Sequence, residues 1–375
     1  MNARERLLTA LDHREPDRPP RDLGSTTATG IHPRAYRALK EHLGLEGGWT
    51  YLSARAQLAR VESALLERFQ VDCLPLIAQT AAEPPALDKR RSYRDRWEVE
   101  RRLPAGNGHY YVCQPPLASA QGQGDLRAYN WPEPRTDFAL LGREAARLRA
   151  KTDKALILNL EVGFLHQAQF MRGFDRWLMD LAADPTFAGA LMDAILEIWL
   201  AEAGATIQAV GDCADVVVYA DDIAFQDRPI FSMAMYRELI RPRQRRVFDL
   251  LKSSGMRVFY HSCGNVRPLI ADLVEMGVDI LNPVQVSAEG MGDTSVLKAE
   301  WGDLLTFWGG IDTQAVLPRG NAGDVRREVM RRLDDLARGG GYVLAPVHDV
   351  QPEVPPANLC AMFDAADEWE EHAAG

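Results

Sequence analysis

From residue 155 to residue 348 the chain alternates short apolar runs with helix-length stretches, and this alternation limits the fold more than any other feature. The runs are 155–161, 215–220, 257–261, 278–283, 304–310 and 342–348. They are rich in Val, Ile, Leu, Phe and Tyr, as expected for parallel strands covered on both faces. Helical patterns lie around them: 137–151, a long helix opened by Asp184-Pro185 and running to about 210, then 232–254, 265–276, 323–338 and a last helix opening near Pro356. Gly255, Gly277 and Gly339-Gly340-Gly341 punctuate three of them. Two earlier segments, 21–24 and 71–76, bring the number of strand candidates to eight. Helices are expected at 4–12, 33–43 and 53–70. The pattern predicts an α/β protein, an eight-stranded parallel TIM (β/α)8 barrel occupying 1–375 as one domain.

One stretch breaks the series. Near 90–116 the period changes to strand-like alternation, with Asn107-Gly108 between two alternating runs, which predicts a β-hairpin insertion. Residues 122–134 read as an irregular connection.

Composition narrows the function classes. A formal charge of −10 and the absence of a Lys/Arg cluster argue against nucleic acid as a partner. No apolar segment approaches the length of a membrane span and the charged opening Met1–Arg6 is unlike a secretion signal, so a cytoplasmic protein is expected. The five cysteines are odd in number and widely spread, which fits reduced thiols.

In a barrel of this kind chemistry sits at the C-terminal ends of the strands. Polar residues fall there repeatedly: Glu161, Asp221 and Asp222, His261 and Cys263, Gln285, Asp312 and His348. His261 and Cys263, two apart on an extended chain, point to the same face and offer an imidazole and a thiol to one ion. A packed strand end, with a core histidine beside a buried cysteine, is the competing reading. With His348 the set becomes two imidazoles and a thiolate, which suits zinc and leaves a fourth position open. Glu161 is a candidate for that position or for catalysis, against a salt bridge in the barrel. Asp222 and Asp312 divide between function and helix capping. Tyr219 is either a core residue or a substrate contact. His109 and Cys113, on the insertion, read as structural, and His166 as structural or supporting.

The sequence resembles the uroporphyrinogen decarboxylase superfamily over nearly its whole length. The resemblance rests on Arg4-Glu5-Arg6-Leu7-Leu8-Thr9-Ala10-Leu11 with Pro16-Asp17-Arg18-Pro19-Pro20, and on Tyr260-His261-Ser262-Cys263-Gly264-Asn265. Asp279-Ile280-Leu281-Asn282-Pro283-Val284-Gln285, Phe307-Trp308-Gly309-Gly310-Ile311-Asp312 and the segment from Gly339-Gly340-Gly341-Tyr342 to Pro355-Pro356-Ala357-Asn358 extend it. It implies a uroporphyrinogen decarboxylase-like TIM barrel. Two branches are relevant. The zinc-dependent corrinoid methyltransferases carry His-x-Cys after the fifth strand, matched by His261 and Cys263, and a further cysteine near the last strand, where this chain has His348. The decarboxylases carry an N-terminal arginine motif that is missing between Pro19 and Gly30.

The resemblance therefore implies a methyltransferase moving a methyl group between a small methyl ether, amine or thiol and cobalamin, with zinc as Lewis acid. Asp221, Asp222 and Glu161 would serve catalysis; Gln285, Asp312 and Tyr219 would contact substrate. It further implies a corrinoid carried by a separate protein partner, and a homodimer. A tetrapyrrole decarboxylase and a non-catalytic corrinoid- or tetrapyrrole-binding protein are the alternatives.

Overall fold

The computed structural model describes residues 1–77, 91–104 and 109–373. Among them the strands are β1 (Tyr51–Ser53), β2 (Leu58–Ala59), β3 (Cys73–Ile77), β4 (Ser92–Arg94), β5 (Glu100–Arg102), β6 (Tyr111–Gln114), β7 (Ala155–Asn159), β8 (Val216–Ala220), β9 (Arg257–His261), β10 (Ile280–Asn282), β11 (Thr306–Ile311) and β12 (Tyr342–Pro346). Seven of these form one parallel sheet in the order β12-β11-β10-β9-β8-β7-β3. Helices occupy most of the connections, including Ala139–Arg149, Pro185–Val210, Arg241–Ser253, Ile270–Met276, Thr294–Trp301 and Ala322–Leu336. Every residue of β7, β11 and β12 is buried, which is why their sequences lack polar alternation.

The eighth strand expected at 21–24 is reduced to a single bridge between Arg21 and Leu344. Leu344 N donates to Pro20 O and Asp22 N donates to Leu344 O, both at 2.9 Å, while Asp72 N donates to Arg21 O at 2.9 Å. The segment thus joins the two edges of the sheet, β12 and the start of β3, and closes the barrel. It cannot extend into a ladder. Pro19 and Pro20 have no N–H to donate, and beyond it the Asp22 carboxylate turns the chain by accepting from Ser25 N at 3.0 Å.

The first helix, Ala3–Leu11, lies across the N-terminal ends of the strands. Leu7 and Leu11 are buried beneath it. Its arginines reach carboxylates that precede barrel strands. Arg4 Nε donates to Asp215 at 2.7 Å and Arg6 Nη1 to Asp72 at 2.7 Å. Asp72 also accepts from Arg18 Nη1 at 2.9 Å and from Arg21 N at 2.8 Å.

Three expectations need correction, and the first is the irregular connection over 122–134, which carries a short helix, Gln123–Ala128. The insertion holds the expected hairpin, β5 paired antiparallel with β6, and β4 adds to β5 to make a three-stranded sheet; the Asn107-Gly108 turn lies outside the described residues. The helix expected over 53–70 is shorter, Ser63–Arg68, because Ser53 Oγ accepts from Ala56 N at 3.2 Å and the chain turns back to pair β1 with β2. The helix expected at 232–254 contains a wide π turn at Tyr236–Ile240, just before Pro242, whose ring removes the donor for a normal α-helical bond. No helix of the described residues is long and apolar enough to cross a membrane.

Removing the Asp72 carboxylate leaves Arg6 and Arg18, whose side chains are only 11% and 13% exposed, without their shared partner. Asp72→Ala is expected to cost about 3–5 kcal/mol, read as a lower denaturant midpoint at unchanged slope.

Candidate active site

Parallel registration brings the strand ends level. Ala220 at the end of β8 is opposite His261 at the end of β9, which is opposite Asn282 at the end of β10. Asn282 Nδ2 donates to Trp308 O at 2.8 Å, which turns its Oδ1 toward His261 Nδ1, 2.5 Å away. Nδ1 therefore carries the proton, and the lone pair of His261 is on Nε2. Nε2 faces Cys263 Sγ at 3.6 Å. His348, just past β12, engages Asp349 through Nδ1, which leaves its Nε2 free. One ligand atom from each of His261, Cys263 and His348 lies within 4.8 Å of the others.

Backbone contacts hold Cys263 there. Its N–H donates to Asp222 Oδ1 at 2.8 Å. The next residue, Gly264, has φ +90°, and a Cβ on it would lie 2.4 Å from Phe225 O, so the turn requires glycine. Gly264 N donates to Gln285 Oε1 at 2.7 Å, and Gln285 Nε2 to Gln226 Oε1 at 3.0 Å. Gln285 therefore buttresses the cysteine loop.

The two aspartates after β8 diverge. Asp221 is fully buried and accepts from Leu165 N at 3.0 Å, His166 N at 2.8 Å and the Tyr219 hydroxyl, so it caps the helix Phe164–Arg172. Asp222, about a third exposed, lies 4.0 Å from His261 Nε2 and 3.6 Å from His166 Nε2. His166 Nδ1 is 3.2 Å from Asp221 Oδ1 without hydrogen-bond alignment, so His166 sits between two carboxylates as an ionic contact.

Burial and charge compete at these groups. Burial opposes charging His166, yet Asp221 and Asp222 raise its pKa to about 10. Burial favours a neutral Asp222, and charged His166 outweighs it, so its carboxyl is held below the ordinary range. Burial, followed by Asp222 and Asp349, pushes the Cys263 thiol well above its ordinary value. Burial lowers the His261 pKa despite Asp222. At His348 burial is overcome by Asp349, and its pKa rises.

The remaining predicted residues fall outside the cluster of His261, Cys263 and His348. Asp312 accepts from Gln314 N at 2.7 Å, Ala315 N at 3.2 Å and Val316 N at 3.3 Å, which is a helix-entry role. Tyr219 is buried among the rings of Trp199, Phe248 and Tyr260. Glu161, two residues beyond β7, pairs with Arg135 and lies 4.0 Å from Arg96. It lines a cavity of about 320 Å³ that also reaches Ala220, the residue opposite His261. The β4–β5 part of the insertion walls this cavity with Tyr93, Arg96, Trp97 and Arg101. Sequence reasoning missed Asn282 and Asp349. Asn282 was signalled only by ending a strand beside the His261 strand, and Asp349 only by following His348.

The sequence profile of the uroporphyrinogen decarboxylase (URO-D) family matches residues 2–369. The chain belongs to the URO-D family. Among curated relatives it is 27% identical over 199 residues to the methylcobamide:CoM methyltransferase MtaA of Methanosarcina barkeri, covering 53% of each chain. It is 25% identical to the methylcobamide:CoM methyltransferase MtbA of Methanosarcina acetivorans, over 65% of this chain and 67% of the relative. A uroporphyrinogen decarboxylase of Thermus thermophilus is 28% identical over 134 residues, 34% of this chain and 35% of the relative. The match thus spans about half the length of MtaA. A solved methyltransferase from Methanosarcina mazei superposes over 98% of this chain and 99% of its own with a TM-score of 0.67 at 20% identity, a likeness of fold. The curated relatives thus include methyltransferases and a decarboxylase of the one family.

Two outcomes follow from the geometry. Because His166 has a folded pKa of about 10, above the ordinary 6.5, its stabilising contribution is complete below pH 6.5 and lost as pH rises through 10. Denaturant titrations across that range should show the loss in the parent protein and not in His166→Gln. Asp312→Ala should cost about 1 kcal/mol in the same measurement, as the loss of a cap.

Proposed function

We propose that residues 1–375 form one barrel domain acting as a corrinoid-dependent methyltransferase, with zinc held by His261, Cys263 and His348. The observation that carries this reading is the meeting of two imidazoles and a thiol within 4.8 Å at the C-terminal face. The donor set fits the metal: borderline-soft nitrogen and sulfur, three protein ligands, and a fourth position for another group. Zinc there supplies Lewis acidity to the oxygen, nitrogen or sulfur that carries or accepts the methyl group.

The chain's own residues do the rest. Asn282 fixes the His261 tautomer, and the Asp222 carboxylate fixes the Cys263 amide. Asp222 is also a partly exposed carboxylate 4.0 Å from His261 Nε2, so it sets a negative charge beside the ligands and can orient the substrate. His166, held charged, keeps Asp222 ionised. The cavity beside Ala220 receives the small methylated substrate, with Glu161 and Arg135 on its wall. Asp221, Gln285, Asp312 and Tyr219 support these groups from behind. The cobalamin arrives on a separate corrinoid protein.

One observation favours the tetrapyrrole-decarboxylase alternative: Arg55, Arg96, Arg101 and Arg135 border the cavity, as carboxylate-binding chemistry requires. Three of them, Arg96, Arg101 and Arg135, already pair with an acidic residue, namely Glu202, Asp95 and Glu161 respectively. That leaves less cationic capacity for a polycarboxylate.

The purified protein is expected to hold roughly one zinc per chain, with Cys263→Ala losing it. Because the metal-free Cys263 is a protonated thiol, loading should release a proton into weakly buffered solution. In an anaerobic assay with cobalt(I) cobalamin and a panel of methyl ethers, amines and thiols, methylcobalamin should form, and Cys263→Ala should slow it by roughly 100-fold or more. Zinc content far below one in the parent protein, unchanged by Cys263→Ala, would rule the reading out.

A further inference from the structure

We propose that Asp349 is the positioning residue that makes His348 a metal ligand, and that the insertion carrying β4–β6 belongs to the same apparatus through His109. The inference rests on the reading of His261, Cys263 and His348 as a metal centre. It concerns side chains outside that set.

Asp349 follows His348 directly, and its side chain is 1% exposed. One carboxylate oxygen faces His348 Nδ1. The other accepts from Gln351 Nε2 at 2.6 Å and lies 3.5 Å from His109 Nε2. Counting donors fixes the direction of the chain. His109 Nδ1 is 2.7 Å from Ala56 O, a group that only accepts, so Nδ1 carries the proton and Nε2 of the neutral ring is an acceptor. Gln351 Nε2 lies 3.3 Å from that acceptor. The two N–H groups of one amide therefore bridge Asp349 and His109. The result is a continuous path from the β1–β2 turn, through the insertion, to the last barrel strand.

This arrangement does three things for His348. It selects the tautomer with hydrogen on Nδ1, which leaves the Nε2 lone pair available to an ion shared with Cys263 and His261. It fixes a ring that sits beyond the end of β12 and has no strand to hold it. It also places a full negative charge behind the imidazole, which strengthens the donor. His261 is supported differently, by the neutral amide of Asn282. The two imidazoles are thus unequal donors.

A second observation points to a cation. Asp349 is buried, yet among the described residues the basic side chains within 4 Å of its oxygens are the imidazoles of His109 and His348, and no lysine or arginine reaches it. A buried carboxylate without a permanently charged partner is costly. A divalent ion one imidazole away offsets that cost.

The test uses the full chain with zinc and, separately, cobalt(II). Zinc affinity is measured by competition with a chromophoric chelator, and ligand geometry by the visible bands of the cobalt(II) form; circular dichroism verifies the fold of each variant. Asp349→Ala should weaken zinc about 10–100-fold and shift the cobalt bands. Asp349→Asn, which keeps an acceptor but not the charge, should fall between it and the parent. His109→Ala should weaken binding in the same direction by a smaller factor. Affinity within about twofold of the parent in Asp349→Ala, while Cys263→Ala loses the metal, would overturn the role of Asp349 and leave the metal centre standing. A parent protein that binds zinc no better than Cys263→Ala would overturn the centre itself, and this inference with it. Should Asp349→Ala fail to fold, His109→Ala and Gln351→Ala decide, and parent-like affinity and spectra in both would overturn the proposal.

Discussion

The register of the parallel ladder is the constraint on which the rest of the structure depends. Side chains of adjacent parallel strands are brought abreast by main-chain hydrogen bonds alone, before any functional group is considered. Here that register sets Ala220, His261 and Asn282 side by side. A shift of one residue in β10 would turn Asn282 away from His261 and free the imidazole to take either tautomer. Closure of the barrel then decides whether His348 meets them. It arrives from the opposite edge of the sheet, carried by β12, and it comes within reach of β9 because the sheet curls until Arg21 joins its two margins.

Two sets of aspartates divide by end. At the N-terminal end, Asp72 and Asp215 are met by arginines of the first helix and its neighbours, in pairs that hold the strands to a plug. At the C-terminal end, Asp221, Asp222 and Asp349 are met by histidines. The distinction has physical content. Guanidinium charge is permanent, so the lower pairs are structural at any ordinary pH, whereas imidazole charge responds to proton and metal. An overall charge of −10 conceals this separation.

Much of the architecture was legible in the sequence because fully buried parallel strands write themselves as uninterrupted apolar runs. All six runs from 155 onward became strands. The first strand was not legible as a bridge, since nothing in Arg21–Gly24 says how many ladder bonds two preceding prolines will permit. The turn at 54–57 was hidden for a related reason: a local Ser53 side-chain bond overrode a helical pattern. Within the site, His261 and Cys263 were readable from their spacing of two. The separate duties of Asp221 and Asp222 were not, because adjacent carboxylates look alike until the helix that follows β7 arrives to be capped by one of them. Asp312 shows the same limit in reverse. Its place after a strand left function and helix capping open, and its oxygens are taken up by the backbone of the next turn.

The bridge between Arg21 and Leu344 has a kinetic consequence. Its two halves are separated by nearly the whole chain, so the loop closed by that contact is among the largest the molecule contains. Local β/α units can assemble as soon as each pair of neighbours exists, but the ring cannot shut until its last strand is available, and contacts this remote in sequence form slowly. Until then the margins of β3 and β12 remain open edges, able to pair with another chain. The window for misassembly is set by how long Pro20–Asp22 must wait for Leu344.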